Sequence, residues 1–197
     1  TERYKEVNIE NEIMTAKCAE EDFINNWKKY FKPIKVGGKL LIRPIWEDEF
    51  DSEGRKVLHL EPGLAFGTGT HETTRLCLEL LEEYAKENDR VLDVGCGSGI
   101  LSIGALLLGA GKAVGVDIDL LSVKTAIDNA KINQVEDKFI CLCGDLTDKI
   151  EGKYDVIIAN IVADVIIELL KDVRNYMHEN TVFIMSGIID TRKDDVI

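Results

Sequence analysis

The sequence is short of the features that mark several protein classes. It has no run of roughly 18 apolar residues, so no membrane-spanning helix is expected. Its start, Thr1-Glu2-Arg3-Tyr4-Lys5, is polar and carries no signal-peptide pattern. Cysteine is sparse: there are five, at positions 18, 77, 96, 141 and 143, an odd number with no C-x-x-C spacing. That speaks against a disulfide framework and fits a reducing, cytoplasmic setting. Cys141 and Cys143 point the same way on a predicted strand but have no nearby His, so no metal site is expected. Basic residues are in deficit: 24 Lys and Arg against 36 Asp and Glu leave a net charge of −12. Such a surface suits a basic partner and does not suit a nucleic-acid backbone. There is no Gly-Lys-Ser/Thr for a P-loop, no internal repeat and no low-complexity segment.

What is present centres on Val91-Leu92-Asp93-Val94-Gly95-Cys96-Gly97-Ser98-Gly99-Ile100-Leu101-Ser102. An apolar run ends in a glycine cluster, and a helical pattern follows with Ile103, Leu106 and Leu107 on one face. This predicts a buried strand, a tight turn and a helix start. Gly95 and Gly97 allow a sharp turn and the close approach of a ligand. The next strand, Ala113–Asp117, ends in an acid about 20 residues beyond the loop, where a doubly wound nucleotide-binding fold places its ribose-binding carboxylate. Asp117 is therefore the expected ribose ligand and Asp119 the expected cap of the following helix. The spacing D-x-G-x-G-x-G differs from the dinucleotide fingerprint G-x-G-x-x-G. It is similar to motif I of S-adenosylmethionine-dependent methyltransferases, which implies a loop lying against sugar and methionine, with Asp93 facing the methionine ammonium.

Taken in order, the chain predicts a short strand at Val7, Ile9 and Ile13, then a helix from Asp22 to Phe31 that Pro33 ends. Strands at Ile34–Val36 and Leu40–Ile45 flank Gly37-Gly38, and Asp51–Gly54 reads as a turn before a strand at Val57–Leu60. The run Pro62–Thr74 is rich in Gly and Thr and precedes an amphipathic helix with Leu76, Leu80, Leu81 and Tyr84 on one expected face. It reads as a polar lid over a small ligand, or as a capping loop built on Thr70 and Thr73. A helix with Val123, Ala126, Ile127 and Ala130, a strand at Phe139–Cys143 and an apolar central strand at Tyr154–Ala159 follow. Asn160 ends that strand and points at the site, since ligands in such sheets lie beyond the carboxyl ends of the strands. A helix face of Ile166, Leu169, Leu170, Val173 and Met177 and a fifth strand at Thr181–Met185 complete the pattern. The expected architecture is α/β: a doubly wound, mostly parallel, Rossmann-like sheet.

The run P-G-L-A-F-G-T-G-T-H-x-T-T, followed by V-G-C-G-S-G-I-L, resembles the ribosomal protein L11 methyltransferase family from about Asp22 to Gly187. Glu72 stands where that family carries Pro after the His. The resemblance implies a class I S-adenosylmethionine-dependent N-methyltransferase that modifies lysine ε-amino groups and the α-amino group of a large-subunit ribosomal protein. It implies cofactor contacts at Thr74, Gly95, Asp117 and Asn160; Gly97 joins them from the loop pattern, and Asn160 is also the expected catalytic residue, aiming the amine. For Asp145 it leaves a contact to the adenine amino group or a turn cap. For His71 it leaves a proton relay or cofactor closure.

The resemblance further implies residues 1–20 as the end of a recognition domain or a linker, 21–54 as a linker helix plus hairpin, and 55–197 as the catalytic domain. On this reading the chain is truncated at both ends, with the last strands missing. The expected partner is ribosomal protein L11, without direct nucleic-acid or membrane contact, and the expected state is a monomer. Two rival readings use the same fold: an N-methyltransferase of a nucleic acid or small molecule, and a cofactor-binding fragment lacking its substrate domain. A nicotinamide-dependent dehydrogenase is a third, disfavoured by the glycine spacing.

Overall fold

A computed structural model of the chain describes residues 31–47, 51–61 and 69–196. Three expected features lie outside the described residues: the short strand around Val7–Ile13, the helix beginning at Asp22, and the loop from Pro62 to Thr68.

The described residues form two sheets. Strands β1 (Ile34–Val36) and β2 (Leu40–Pro44) form the expected antiparallel hairpin. Strand β3 (Lys56–Leu60) adds to β2 in parallel, so the hairpin and the strand after the turn make one small sheet. The second sheet holds β4 (Arg90–Val94), β5 (Lys112–Asp117), β6 (Phe139–Cys143), β7 (Tyr154–Asn160) and β8 (Met177–Ser186). Its order is β6-β5-β4-β7-β8, and every pairing is parallel. The helices are α1 (Glu72–Tyr84), α2 (Ile100–Leu108), α3 (Leu120–Ile132), α4 (Ala163–Leu169) and α5 (Lys193–Val196). Among the described residues no helix is long and apolar enough to cross a membrane.

The strand sequences are apolar almost throughout because both faces of the large sheet are covered. In β7, Val156 and Ile158 join one core, with Ile103 of α2 and Leu78 of α1; Ile157 and Ala159 join another, with Leu169 of α4 and Val173. The first core extends to Val36, Leu40, Ile42, Leu58 and Leu60 of the small sheet. Helix α2 is thus packed from several sides, and its residues from Ile100 to Leu106 are all buried rather than only the expected stripe. Side-chain amides sew α3 to β3: Asn133 Oδ1 accepts from His59 N–H at 2.8 Å and Asn129 Oδ1 from Glu61 N–H at 3.0 Å. The buried Asn129 also donates to the Ser98 carbonyl at 3.0 Å, tying β3 to the glycine loop.

Two expected helix faces are corrected. In α1 the buried stripe is Thr74, Cys77, Leu78 and Leu81, whereas Leu76, Leu80 and Tyr84 are 53%, 37% and 41% exposed. The stripe has helical spacing, but two of its members are a threonine and a cysteine, so choosing by size selects the wrong side. The single helix expected through Val173 to Met177 ends at Leu169; a 3-10 turn spans Val173–Tyr176, and Met177 already opens β8. Ile166, Leu169 and Val173 are still buried, because a tightened turn keeps them on the same side.

Candidate functional site

Strands β5 and β7 leave β4 in opposite directions across the sheet. A crevice at the carboxyl ends of the strands is expected where the order reverses. A cavity of about 560 Å³ opens there, lined by Gly95, Gly97, Asp117 and Asn160 together with His71, Asp145 and Gly187. That volume lies within the ~300–1,000 Å³ range of small-molecule sites.

The glycine loop is folded across the end of β5. Gly95 and Cys96 both donate from their backbone N–H groups to the Val116 carbonyl, at 2.8 and 3.0 Å. Gly95 has φ +73°, and a Cβ there would overlap Ile161 Cγ2, so only glycine lets this loop meet the one after β7. Gly97 N–H donates to Asp117 Oδ2 at 2.8 Å, and Asp119 N–H to Asp117 Oδ1 at 2.9 Å. A carboxylate has roughly four acceptor sites, so Asp117 keeps capacity for a vicinal diol while held in place from both sides. Asp119 caps α3 as expected, accepting from Leu121 N–H at 3.1 Å and Ser122 N–H at 3.0 Å.

Asn160 closes the other side. Its Nδ2 lies 3.5 Å from Thr74 Oγ1, joining positions 86 residues apart. Thr74 is 1% exposed and stands behind Asn160 rather than on the cavity wall. Among the described residues of that segment, His71 and Thr73 reach the cavity. His71 is also the N-cap of α1: its Nδ1 accepts from Thr73 N–H at 3.3 Å and lies 2.8 Å from Thr73 Oγ1. The capping role thus falls to His71 rather than to Thr70 or Thr73.

Asp93 sits one layer below. It is 1% exposed, and its Oδ2 accepts from Ser102 N–H at 3.1 Å and Ser102 Oγ at 2.8 Å. Burial pushes its carboxyl up to about 6 against the opposing pull of those two bonds. Its Oδ1 is buried without a hydrogen-bond partner among the described residues. Burial also pushes the Cys77 thiol, on the adjoining face of α1, up to about 11.

Among the described residues the rest of the wall is mostly apolar, with Val94, Val116, Ile118, Leu146, Ile161, Val162 and Val165 beside Ser122 and Gly144. Ile118 and Val162 are 73% and 63% exposed, so a ligand seated here would cover apolar surface. The sequence reading passed over these residues. The available signal was an apolar side chain placed just after a strand-ending polar one, in Asp117-Ile118 and Asn160-Ile161-Val162. The cavity thus offers apolar walls for a flat heterocycle, a fixed carboxylate for a diol, and an amide beside a glycine loop. This donor set fits an adenosine derivative. Among the described residues no group of three or more His, Cys, Asp or Glu converges as a metal site.

Comparison with known proteins agrees with this geometry. The chain matches the family model described as Ribosomal protein L11 methyltransferase (PrmA) over residues 1–197. It is 48% identical over 191 residues to the ribosomal protein L11 methyltransferase of Caldanaerobacter subterraneus subsp. tengcongensis, covering 96% of this chain and 62% of that protein. A Clostridium perfringens protein of the same name is 46% identical over 95% of this chain and 60% of its own length. The chain therefore spans about three-fifths of the curated relatives it matches. A crystal structure of a ribosomal protein L11 methylase from Lactobacillus delbrueckii subsp. bulgaricus superposes with TM-score 0.79 at 33% identity, covering 84% of this chain and 85% of that one. With residues 1–197 matched to that family and the fold shared, the chain belongs to the ribosomal protein L11 methyltransferase family.

Proposed function

We propose that this chain carries the cofactor site and the amine-positioning residue of an S-adenosylmethionine-dependent methyltransferase whose substrate is ribosomal protein L11. The observation that carries the reading is the convergence of Gly95, Gly97, Asp117 and Asn160 on one cavity at the point where the strand order reverses. Relatives carry the L11 methyltransferase name, and a T. thermophilus 16S rRNA N2 methyltransferase solved with AdoMet and guanosine shares the fold, with TM-score 0.55 and 26% identity.

When bound, S-adenosylmethionine supplies a methyl group already activated on a sulfonium. The chain's own task is then positioning. Asp117 holds the ribose hydroxyls, and the backbone of Gly95 and Gly97 borders the methionine portion. Ile118, Leu146, Val162 and Val165 would exclude water from the base, and Asp145 would be in reach of it. Asn160, backed by Thr74, orients the acceptor nitrogen with its amide oxygen and the carbonyls that follow. A lysine amine has a reference pKa of about 10.4 and must arrive deprotonated; entry into a partly apolar cavity favours the neutral form. The net charge of −12 favours a basic protein partner over a nucleic acid and would speed its encounter. Lysine ε-amino and N-terminal α-amino groups are the acceptors in this reading, and the reaction belongs to the cytoplasm.

The test is calorimetric titration with S-adenosylmethionine and with oxidised nicotinamide dinucleotide, followed by transfer of labelled methyl groups to purified L11. Binding of the first ligand alone is expected. Binding of the dinucleotide, or of neither ligand by a chain with a cooperative unfolding transition, would overturn the assignment of this cavity.

A further inference from the structure

Cys96 lies inside the glycine loop, between the two glycines that line the cavity, and the mechanism above does not use it. Its Sγ is 3.6 Å from Cys141 Sγ, across 45 residues of sequence. The approach depends on an intervening residue. Gly115 of β5 pairs with Cys141 of β6. A Cβ on Gly115 would stand 3.0 Å from Cys96 Sγ and 3.1 Å from Cys96 Cβ. With no side chain there, the Cys96 thiol passes over β5 and reaches β6. The two thiols differ in access. Cys96 is 5% exposed, whereas Cys141 is part-exposed on a strand at the edge of the sheet.

We propose that Cys96 and Cys141 form a redox-active dithiol, and that its closure to a disulfide by a low-molecular-weight disulfide weakens ligand binding in the adjoining cavity. The part-exposed Cys141, as thiolate, attacks one sulfur of the small disulfide. A mixed disulfide forms and one small thiolate leaves. Cys96 then attacks Cys141 Sγ, its proton passing to the second departing thiolate. The pair loses two electrons and two protons, and the small disulfide is reduced to two thiols. The Cys141 contact and burial push the Cys96 thiol up, so it rests protonated and Cys141 is the entry point.

Closure draws the sulfurs from 3.6 Å to a bond length of about 2.05 Å. Cys96 is held by its N–H to the Val116 carbonyl, and its neighbour Gly97 by the bond to Asp117. A pull on Cys96 toward β6 therefore loads the bond that orients Asp117. The coupling is reciprocal, so bound ligand also makes the dithiol harder to oxidise. A transient cross-link of this kind is compatible with a reducing compartment.

That the affected ligand is S-adenosylmethionine rests on the proposed function; formation of the cross-link does not. The experiment treats the full chain with oxidised glutathione, then maps disulfides by peptide mass. It next measures S-adenosylmethionine affinity and amide exchange at Gly97, before and after reduction. The expected result is a Cys96–Cys141 linked peptide, faster exchange at Gly97 and roughly tenfold weaker binding, all reversed by dithiothreitol and all absent in Cys141→Ser. Glutathione found on Cys143 alone, with no Cys96–Cys141 link, would overturn the dithiol. A link with unchanged exchange at Gly97 would overturn its coupling to the cavity, even if the reduced chain binds no S-adenosylmethionine and the cofactor reading fails on its own.

Discussion

The two sides of the cavity are built differently. On the glycine-loop side, four backbone N–H groups, those of Gly95, Cys96, Gly97 and Asp119, are spent on Val116 and Asp117 at 2.8 to 3.0 Å. On the β7 side, Asn160 meets Thr74 at 3.5 Å, the outer limit of a hydrogen bond. Short bonds to a carboxylate are strong and directional. A single contact at that limit, among the described residues, leaves the amide able to turn. The glycine-loop half of the cavity is therefore preformed, and the β7 half is adjustable.

The largest expected effect breaks the preformed half. Asp117→Ala removes the diol acceptor and leaves the Gly97 and Asp119 N–H groups unpaired. Bonds to a charged acceptor are worth about 1.5–3 kcal/mol each, so cofactor affinity should fall on the order of 1,000-fold. Calorimetry reads the affinity, and a cooperative unfolding transition that is lowered but kept well above the titration temperature separates ligand loss from unfolding.

Next comes Gly95→Ala, which places a methyl group against Ile161 in a left-handed backbone conformation. A destabilisation of about 3 kcal/mol is expected in urea unfolding. Ile161→Ala in the same chain should restore part of it, because only the Cγ2 clash is relieved. Full additivity of the two costs would show that the loops do not meet there.

A smaller effect is pH-dependent. Asp93 keeps its proton up to about pH 6 when folded. An unfolded aspartate keeps it only to about 3.9. The native state therefore binds the extra proton between those values, and stability from this group falls as pH rises through them, by on the order of 2 kcal/mol. Asp93→Asn should flatten that part of the stability profile between about pH 4.5 and 7. A profile unchanged by the substitution would remove Asp93 as its source.

The smallest effect probes the adjustable half. Thr74→Ala should lower the methylation rate about fivefold, or about 1 kcal/mol, with cofactor affinity nearly unchanged, because it frees Asn160 without touching the cavity wall. A loss confined to cofactor affinity would place Thr74 with the preformed side of the cavity.

These contrasts also mark what was legible in the sequence. The loop with its preceding strand, Asp117 at the end of β5 and Asp119 as the cap of α3 carry local signals: an apolar run, a glycine cluster, an acid at a helix start. The buried face of α1 was misread because it depends on which side meets α2 and β7, and because Thr74 and Cys77 do not announce burial. The apolar wall of Ile118 and Val162 was missed because its residues follow the polar ones that drew attention.

By itself, the sequence determined the parallel sheet, the glycine turn and the acid beside it, since periodicity and backbone freedom are properties of short segments. Only the tertiary structure decided that Asn160 stands on Thr74, that Asn129 ties β3 to the glycine loop, and that Cys96 reaches Cys141 over Gly115. Those partners lie tens of residues apart, and their meeting is fixed by strand order and by how helices seat on the sheet, which no local pattern encodes.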